Sequence, residues 1–138
     1  MQYKLKKIRS DASFREFFRL KKGNKTSIVV TARKERFRNL IAYSAINKFL
    51  RGKGIHTPKT ISQHFSEGIM EIEDFGDKTL LHSIRKSKNI FPYYKKSINA
   101  ILKLQKIKPI NKIKIKLNRN LKLNNYILKI YIKILIYF

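Results

Sequence analysis

Cysteine and tryptophan are absent from this 138-residue chain, and glycine (5), proline (3), histidine (3) and methionine (2) are scarce. The lack of cysteine excludes a disulfide framework, a cysteine-ligated zinc site and a thiol nucleophile. It also fits a reducing compartment, so a cytoplasmic location is expected. A secretory signal is not expected either, since Met1 leads into an alternating basic-apolar stretch with no small-residue cleavage site. Long apolar runs are missing too. Tyr126 to Phe138 is 13 residues long and is broken by Lys129 and Lys133, whereas a membrane span needs about 20 apolar residues. No membrane span is expected.

Negative charge is the scarcest property of all. Thirty-three lysines and arginines face eight aspartates and glutamates, a formal charge of +25. All eight carboxylates lie between Asp11 and Asp77. Residues 1–77 therefore carry 17 basic and 8 acidic residues (+9), and residues 78–138 carry 16 basic and none acidic (+16). After Asp77 no carboxylate exists to act as a base or to hold magnesium. The three histidines make no cluster: His56 precedes a Thr-Pro pair, His64 falls in a strand and His82 in a helix.

What is present orders itself along the chain. Residues 3–9 alternate, and SDAS at 10–13 reads as a turn. FREFFRL at 14–20 and the β-branched run TSIVVTA at 26–32 read as strands joined by KKGNK. From Glu35 to Arg51 the period becomes helical, with Phe37, Leu40, Ile41, Ala45 and Phe49 recurring, and Gly52 and Gly54 supply the stop. Lys59–Phe65 and Gly68–Asp74 form two more strands around the Ser66-Glu67-Gly68 turn. In the second, Ile69, Glu71 and Glu73 alternate with Met70, Ile72 and Asp74. Thr79–Lys86 reads as a short helix. Asn89 and Pro92 open another, with Tyr94, Ile98, Ile101, Leu102 and Gln105 on one face.

Beyond Pro109 the composition narrows. Of the 29 residues from Ile110 to Phe138, 23 are Ile, Lys, Asn, Tyr or Phe, the types encoded by adenine- and thymine-rich codons. KIKIKL at 112–117 alternates like a strand, but Lys129 and Lys133 share a helical face, and no single period covers the segment.

Three strands, a helix, two strands and a linker make up the plan of a protein-kinase-like nucleotide lobe. The resemblance is local as well. SDASFREFFRL at 10–20 resembles the GDASFRRYFRL-type signature of the aminoglycoside phosphotransferase/choline kinase-like family. It lies nearest to the bacterial kinases of cell-wall amino sugars (N-acetylmuramate and N-acetylglucosamine). GIHTPKTISQHFSEGIMEIEDFGDKTL at 54–80 resembles that family's strand, Glu-Gly turn and strand ending in an acidic-aromatic-Gly hinge. The likeness covers roughly residues 3–108. It implies an α+β fold: a five-stranded antiparallel sheet plus one helix, followed by helices of an incomplete C-terminal lobe. The expected divisions are 1–76 as nucleotide-binding lobe with hinge, 77–117 as the start of the helical lobe, and 118–138 as a degenerate or out-of-frame tail.

The resemblance also implies a nucleotide site. Ser10, Asp11, Ala12 and Ser13 would form the loop whose backbone N–H groups cover the phosphates, with Ser10 standing where the family has glycine. The third strand of such folds carries a cation that contacts the phosphates and pairs with a glutamate of the next helix. Arg33 and Lys34 are the candidates, with Glu35 as partner, and alternation with Thr31 favours Arg33. Glu73, Asp74 and Phe75 would be hinge residues whose backbone meets adenine, while Met70 and Ile72 form or support the pocket. Asp74-Phe75-Gly76 spells the metal-binding tripeptide of protein kinases, yet it ends a fifth strand with no catalytic loop before it, so no metal ligand and no catalytic residue is assigned.

The family's catalytic loop and magnesium-binding aspartate have no counterpart in the chain. The expectation is a truncated amino-sugar kinase-like protein that retains an ATP-binding lobe and is inactive alone. ATP is the implied cofactor and an amino sugar the substrate of the full-length family; magnesium belongs to the family, but its ligands are not identifiable here. The alternatives are a basic nucleic-acid-binding protein, or nonspecific polyanion binding, suggested by the charge. A membrane-surface protein attached through Tyr126–Phe138 is a further alternative.

Overall fold

The computed structural model describes residues 3–8, 15–33 and 38–108, and the backbone of 112–115 and 119–122. The chain divides into two compact units: Met1–Arg51 with His56–Phe75, and Gly52–Ile55 with Gly76–Phe138.

The first unit is a five-stranded sheet and a helix. Strands β1 (Tyr3–Ile8), β2 (Arg15–Lys22) and β3 (Lys25–Ala32) form an antiparallel meander, followed by α1 (Arg38–Gly52), β4 (Thr60–His64) and β5 (Ile69–Glu73). All neighbours pair antiparallel, in the order β1-β2-β3-β5-β4. This is the α+β fold expected, consistent with a kinase-like N-terminal lobe. The β2–β3 hairpin turns at Gly23-Asn24, between the paired Lys22 and Lys25.

Strand alternation decides what each sheet face carries. Ile28 and Val30 of β3 face the same way as Met70 and Ile72 of β5, because Ile28 pairs with Ile72 and Val30 with Met70. With Leu40 of α1 these four form the buried core, and Ile8, Phe17, Ala32, Tyr43 and Phe65 pack against it. The opposite face mixes polar residues (Ser27, Glu71, Glu73) with apolar ones (Phe18, Leu20, Val29, Ile69). There Glu71 accepts hydrogen bonds from Ser27 of β3 and Ser62 of β4, tying three strands together through one carboxylate.

The buried residues of α1 are Leu40, Ile41, Ile46, Asn47 and Leu50. The expected stripe through Ala45 and Phe49 is thus displaced by one residue, and those two side chains are only half-buried. Phe37 and Glu35 lie outside the described residues. Between β4 and β5 a 3-10 turn (Phe65–Glu67) ends at Gly68, which adopts a left-handed conformation (φ 71°). Its carbonyl accepts from the Ala32 N–H at 2.8 Å, and a Cβ on Gly68 would lie 2.3 Å from the Ala32 oxygen. Only glycine fits that approach.

In the second unit, α2 (Leu80–Lys86) is capped by Thr79, whose hydroxyl accepts from the His82 N–H at 3.1 Å. Helix α3 (Phe91–Gln105) has Pro92 in its first turn, and the Asn89 side chain accepts from the Phe91 N–H at 3.1 Å. Strands β6 (Lys112–Ile115) and β7 (Arg119–Lys122) pair antiparallel. Residues 123–138 lie outside the described residues, as does the amphipathic stretch expected there. No helix among the described residues is long and apolar enough to cross a membrane.

Candidate functional site

Segment 73–76, the hinge expected from the sequence, continues from the end of β5, and each of its first three side chains has a partner from elsewhere in the first unit. Glu73 and Lys59 exchange two contacts: the Glu73 N–H donates to the Lys59 carbonyl at 2.9 Å, and the Lys59 N–H donates to the Glu73 carboxylate at 3.1 Å. Arg51, leaving α1, approaches the same carboxylate at 4.0 Å. These contacts hold the strand end against the connection that follows α1.

Asp74 shares the parity of Met70 and Ile72 and so belongs to the core side of the sheet. Its side chain is 4% exposed and is gripped by Arg19 of β2, with Nε to Oδ2 at 2.7 Å and Nη2 donating to Oδ1 at 3.1 Å. The pair combines one charge-assisted hydrogen bond with a close Nε–Oδ2 ion-pair contact, which neutralises the buried carboxylate. Both Asp74 oxygens are therefore engaged by a cation, which is a poor starting point for a metal ligand. Among the described residues no group of three His, Cys, Asp or Glu could hold a metal ion. Phe75 is exposed and stacks on His56, ring centres 4.9 Å apart and 19° from parallel. The lone histidine before Thr57-Pro58 thus has a structural neighbour just after β5.

The connection between α1 and β4 is anchored by a second polar set. The Thr57 hydroxyl, fully buried, donates to the Asn47 carbonyl at 3.0 Å, and Arg51 donates to the Thr57 carbonyl. The Asn47 side chain is 1% exposed, and its amide nitrogen and oxygen meet no hydrogen-bond partner among the described residues.

The structure brings Glu73, Asp74 and Phe75 together by chain continuity. Met70 and Ile72 are core residues, 0% and 4% exposed, packed with Leu40 of α1. Ser10, Asp11, Ala12 and Ser13 lie outside the described residues. Arg33 follows β3 immediately and is exposed; its parity is that of Val29 and Thr31, the sheet face away from α1. On the α1 side stands Arg15, the first residue of β2, register partner of Ala32. Its guanidinium sits 5.1 Å from the Tyr43 ring centre and 6.0 Å from that of Phe17. Burial draws its ionisation below arginine's usual value, an effect opposed by the electrostatics of Tyr43. Sequence pattern marks the turn before Arg15 and Arg19 and neither arginine itself. The face they share with the core is identified by the register of Met70 and Ile72 with β3, which only the folded sheet provides.

The second unit offers a different surface. Lys78, His82, Lys86, Lys88 and Tyr93, with Ser83 and Ser87, line an open concavity of about 470 Å³. On α3 the stripe Phe91, Tyr94, Ile98, Ile101 and Leu102 is exposed, Phe91 by 68%.

No family model matches the chain. Over 100 residues, 71% of its length, it is 28% identical to an N-acetylmuramate/N-acetylglucosamine kinase of Pseudomonas aeruginosa. That segment spans 28% of the length of the Pseudomonas protein. Together with the sheet order and the helix between β3 and β4, the likeness supports a kinase-like relationship for this chain.

Proposed function

We propose that the first unit is the nucleotide-binding lobe of an amino-sugar kinase-like protein, and that this polypeptide alone does not transfer phosphate. The observation that carries the reading is the hinge. A five-stranded sheet with α1 between β3 and β4 ends at residues 73–76, held by Lys59, Arg19 and His56, in a chain similar over 100 residues to an amino-sugar kinase. Backbone groups of Glu73, Asp74 and Phe75 would meet the adenine, and the Ser10–Ser13 segment would cover the phosphates. Phosphoryl transfer needs a carboxylate that orients the acceptor hydroxyl and ligands for magnesium. Residues 78–138 hold no carboxylate, and Asp74 is occupied by Arg19.

The test is direct. The protein is incubated with ATP, magnesium and N-acetylmuramate, and sugar phosphate is assayed alongside ATP binding. Binding without sugar phosphate is the expected result. Turnover above a no-protein control overturns the inactivity, and failure to bind ATP overturns the lobe assignment.

The concavity of the second unit favours a second reading, polyanion binding. Three lysines converge there in a unit whose described segments after Asp77 contain no carboxylate, so their mutual repulsion is relieved by a bound anion. Affinity for a nucleic acid or heparin should fall steeply with salt. Loss of that affinity on replacing Lys78, Lys86 and Lys88 by glutamine would locate it in the concavity.

A further inference from the structure

The motif SDASFREFFRL contains two arginines that the proposed nucleotide site does not use, and the fold assigns them different places. Arg19 is bound to Asp74 at the hinge end of the sheet. Arg15 stands at the other end of β2, level with Ala32 and next after the segment that would cover the phosphates. We propose that Arg15 contacts the phosphates of a nucleoside polyphosphate bound to this lobe, in the role that strand alternation assigns to Arg33. The inference rests on the reading of the first unit as a nucleotide-binding lobe and goes beyond it by naming the cation.

Three features support the assignment. The first is the face. A cation that serves both the phosphates and the following helix must lie on the helix-covered side of the sheet. Arg15 shares parity with Phe17, which pairs with Val30 of the core, and reaches Tyr43 of α1. Arg33 has the opposite parity. The second is position along the strand. Ala32, opposite Arg15, is the last residue of β3, so Arg15 reaches from the neighbouring strand the level at which a β3 cation would stand. The third is environment. The guanidinium lies 6.0 and 5.1 Å from the Phe17 and Tyr43 ring centres, within cation–π range of both. The partial burial of Arg15 also means that less hydration is lost when a phosphate arrives. A planar fork in such a setting suits bidentate phosphate recognition.

The experiment compares displacement of trinitrophenyl-ATP by ATP, ADP and adenosine in the parent protein and in Arg15→Gln, Arg15→Lys and Arg33→Gln. The urea unfolding midpoint of each is measured alongside. The parent is expected to bind ATP more tightly than adenosine. Arg15→Gln should lose about ten- to a hundredfold in ATP affinity, keep its adenosine affinity, and leave Arg33→Gln the tighter ATP binder of the two. Arg15→Lys should recover part of the loss, because it restores the charge without the fork. An Arg15→Gln protein that binds ATP as the parent does overturns the proposal. So does an equal fall in ATP and adenosine affinity, which marks a purely structural role. A loss seen in Arg33→Gln and not in Arg15→Gln returns the role to Arg33. If Arg15→Gln does not fold, the ratio of ATP to adenosine affinity in Arg15→Lys decides, and an unchanged ratio overturns the assignment. A parent that prefers ATP no more than adenosine overturns the Arg15 contact alone. A parent that binds none of the three removes the nucleotide lobe, and the Arg15 contact with it.

Discussion

The two units of this chain use the same scarce resource differently. The first holds seven of the eight carboxylates of the sequence, and four of them work as cross-links: Glu16 against Lys7, Glu71 between Ser27 and Ser62, Glu73 against Lys59 and Arg51, Asp74 against Arg19. The second has Asp77 at its start and none thereafter. Its α3 carries no buried residue, whereas α1, of equal length, carries five. Local signals formed both helices. Tertiary packing rewarded only one of them, since most helical stability in proteins comes from burying an apolar face.

That contrast can be broken most sharply at Gly68. Alanine there meets the Ala32 oxygen and an unfavourable positive φ, at the point where the β4–β5 turn is clamped to β3. Gly68→Ala is expected to cost about 4 kcal/mol, read as a lowered urea midpoint of the first unit's transition. The next test compares matched truncations in the two units. Leu40→Ala empties a fully buried core position and should cost about 3 kcal/mol. Leu102→Ala removes a side chain that is 47% exposed and should stay within about 0.5 kcal/mol. Equal effects would mean that α3 is as well packed as α1. No loss of stability at all is expected at Asn47. Its buried amide lacks a hydrogen-bond partner among the described residues, so Asn47→Leu should be neutral or stabilising by about 1 kcal/mol. A loss of stability instead would show that the amide has a partner.

Much of the fold was legible because its signals are local. The alternation of Ile69–Asp74 predicted two faces of different polarity, and Met70, Ile72 and Asp74 do share the core side. Thr79, Asn89 and Pro92 marked helix starts that the structure places within a residue or two. The site was less legible. In β3 the run Ile28-Val29-Val30 is apolar at both parities, so alternation alone does not tell which side α1 covers. In β2 Phe17 and Phe18 pose the same ambiguity. The displaced stripe of α1 has a related cause. Its apolar residues surround more than half the helix, and the sheet selects which of them are buried.

By itself the sequence determined the succession of strands and helices, the polarity of β5 and the absence of any carboxylate after Asp77. These follow from residue type, spacing and short-range geometry. Only the tertiary structure decided that Asp74 is paired with Arg19, 55 residues away in the chain, that Phe75 stacks on His56, and that Arg15 approaches Tyr43 of α1. Those outcomes depend on register and on which face the helix covers, and both are fixed by long-range packing that no local pattern encodes.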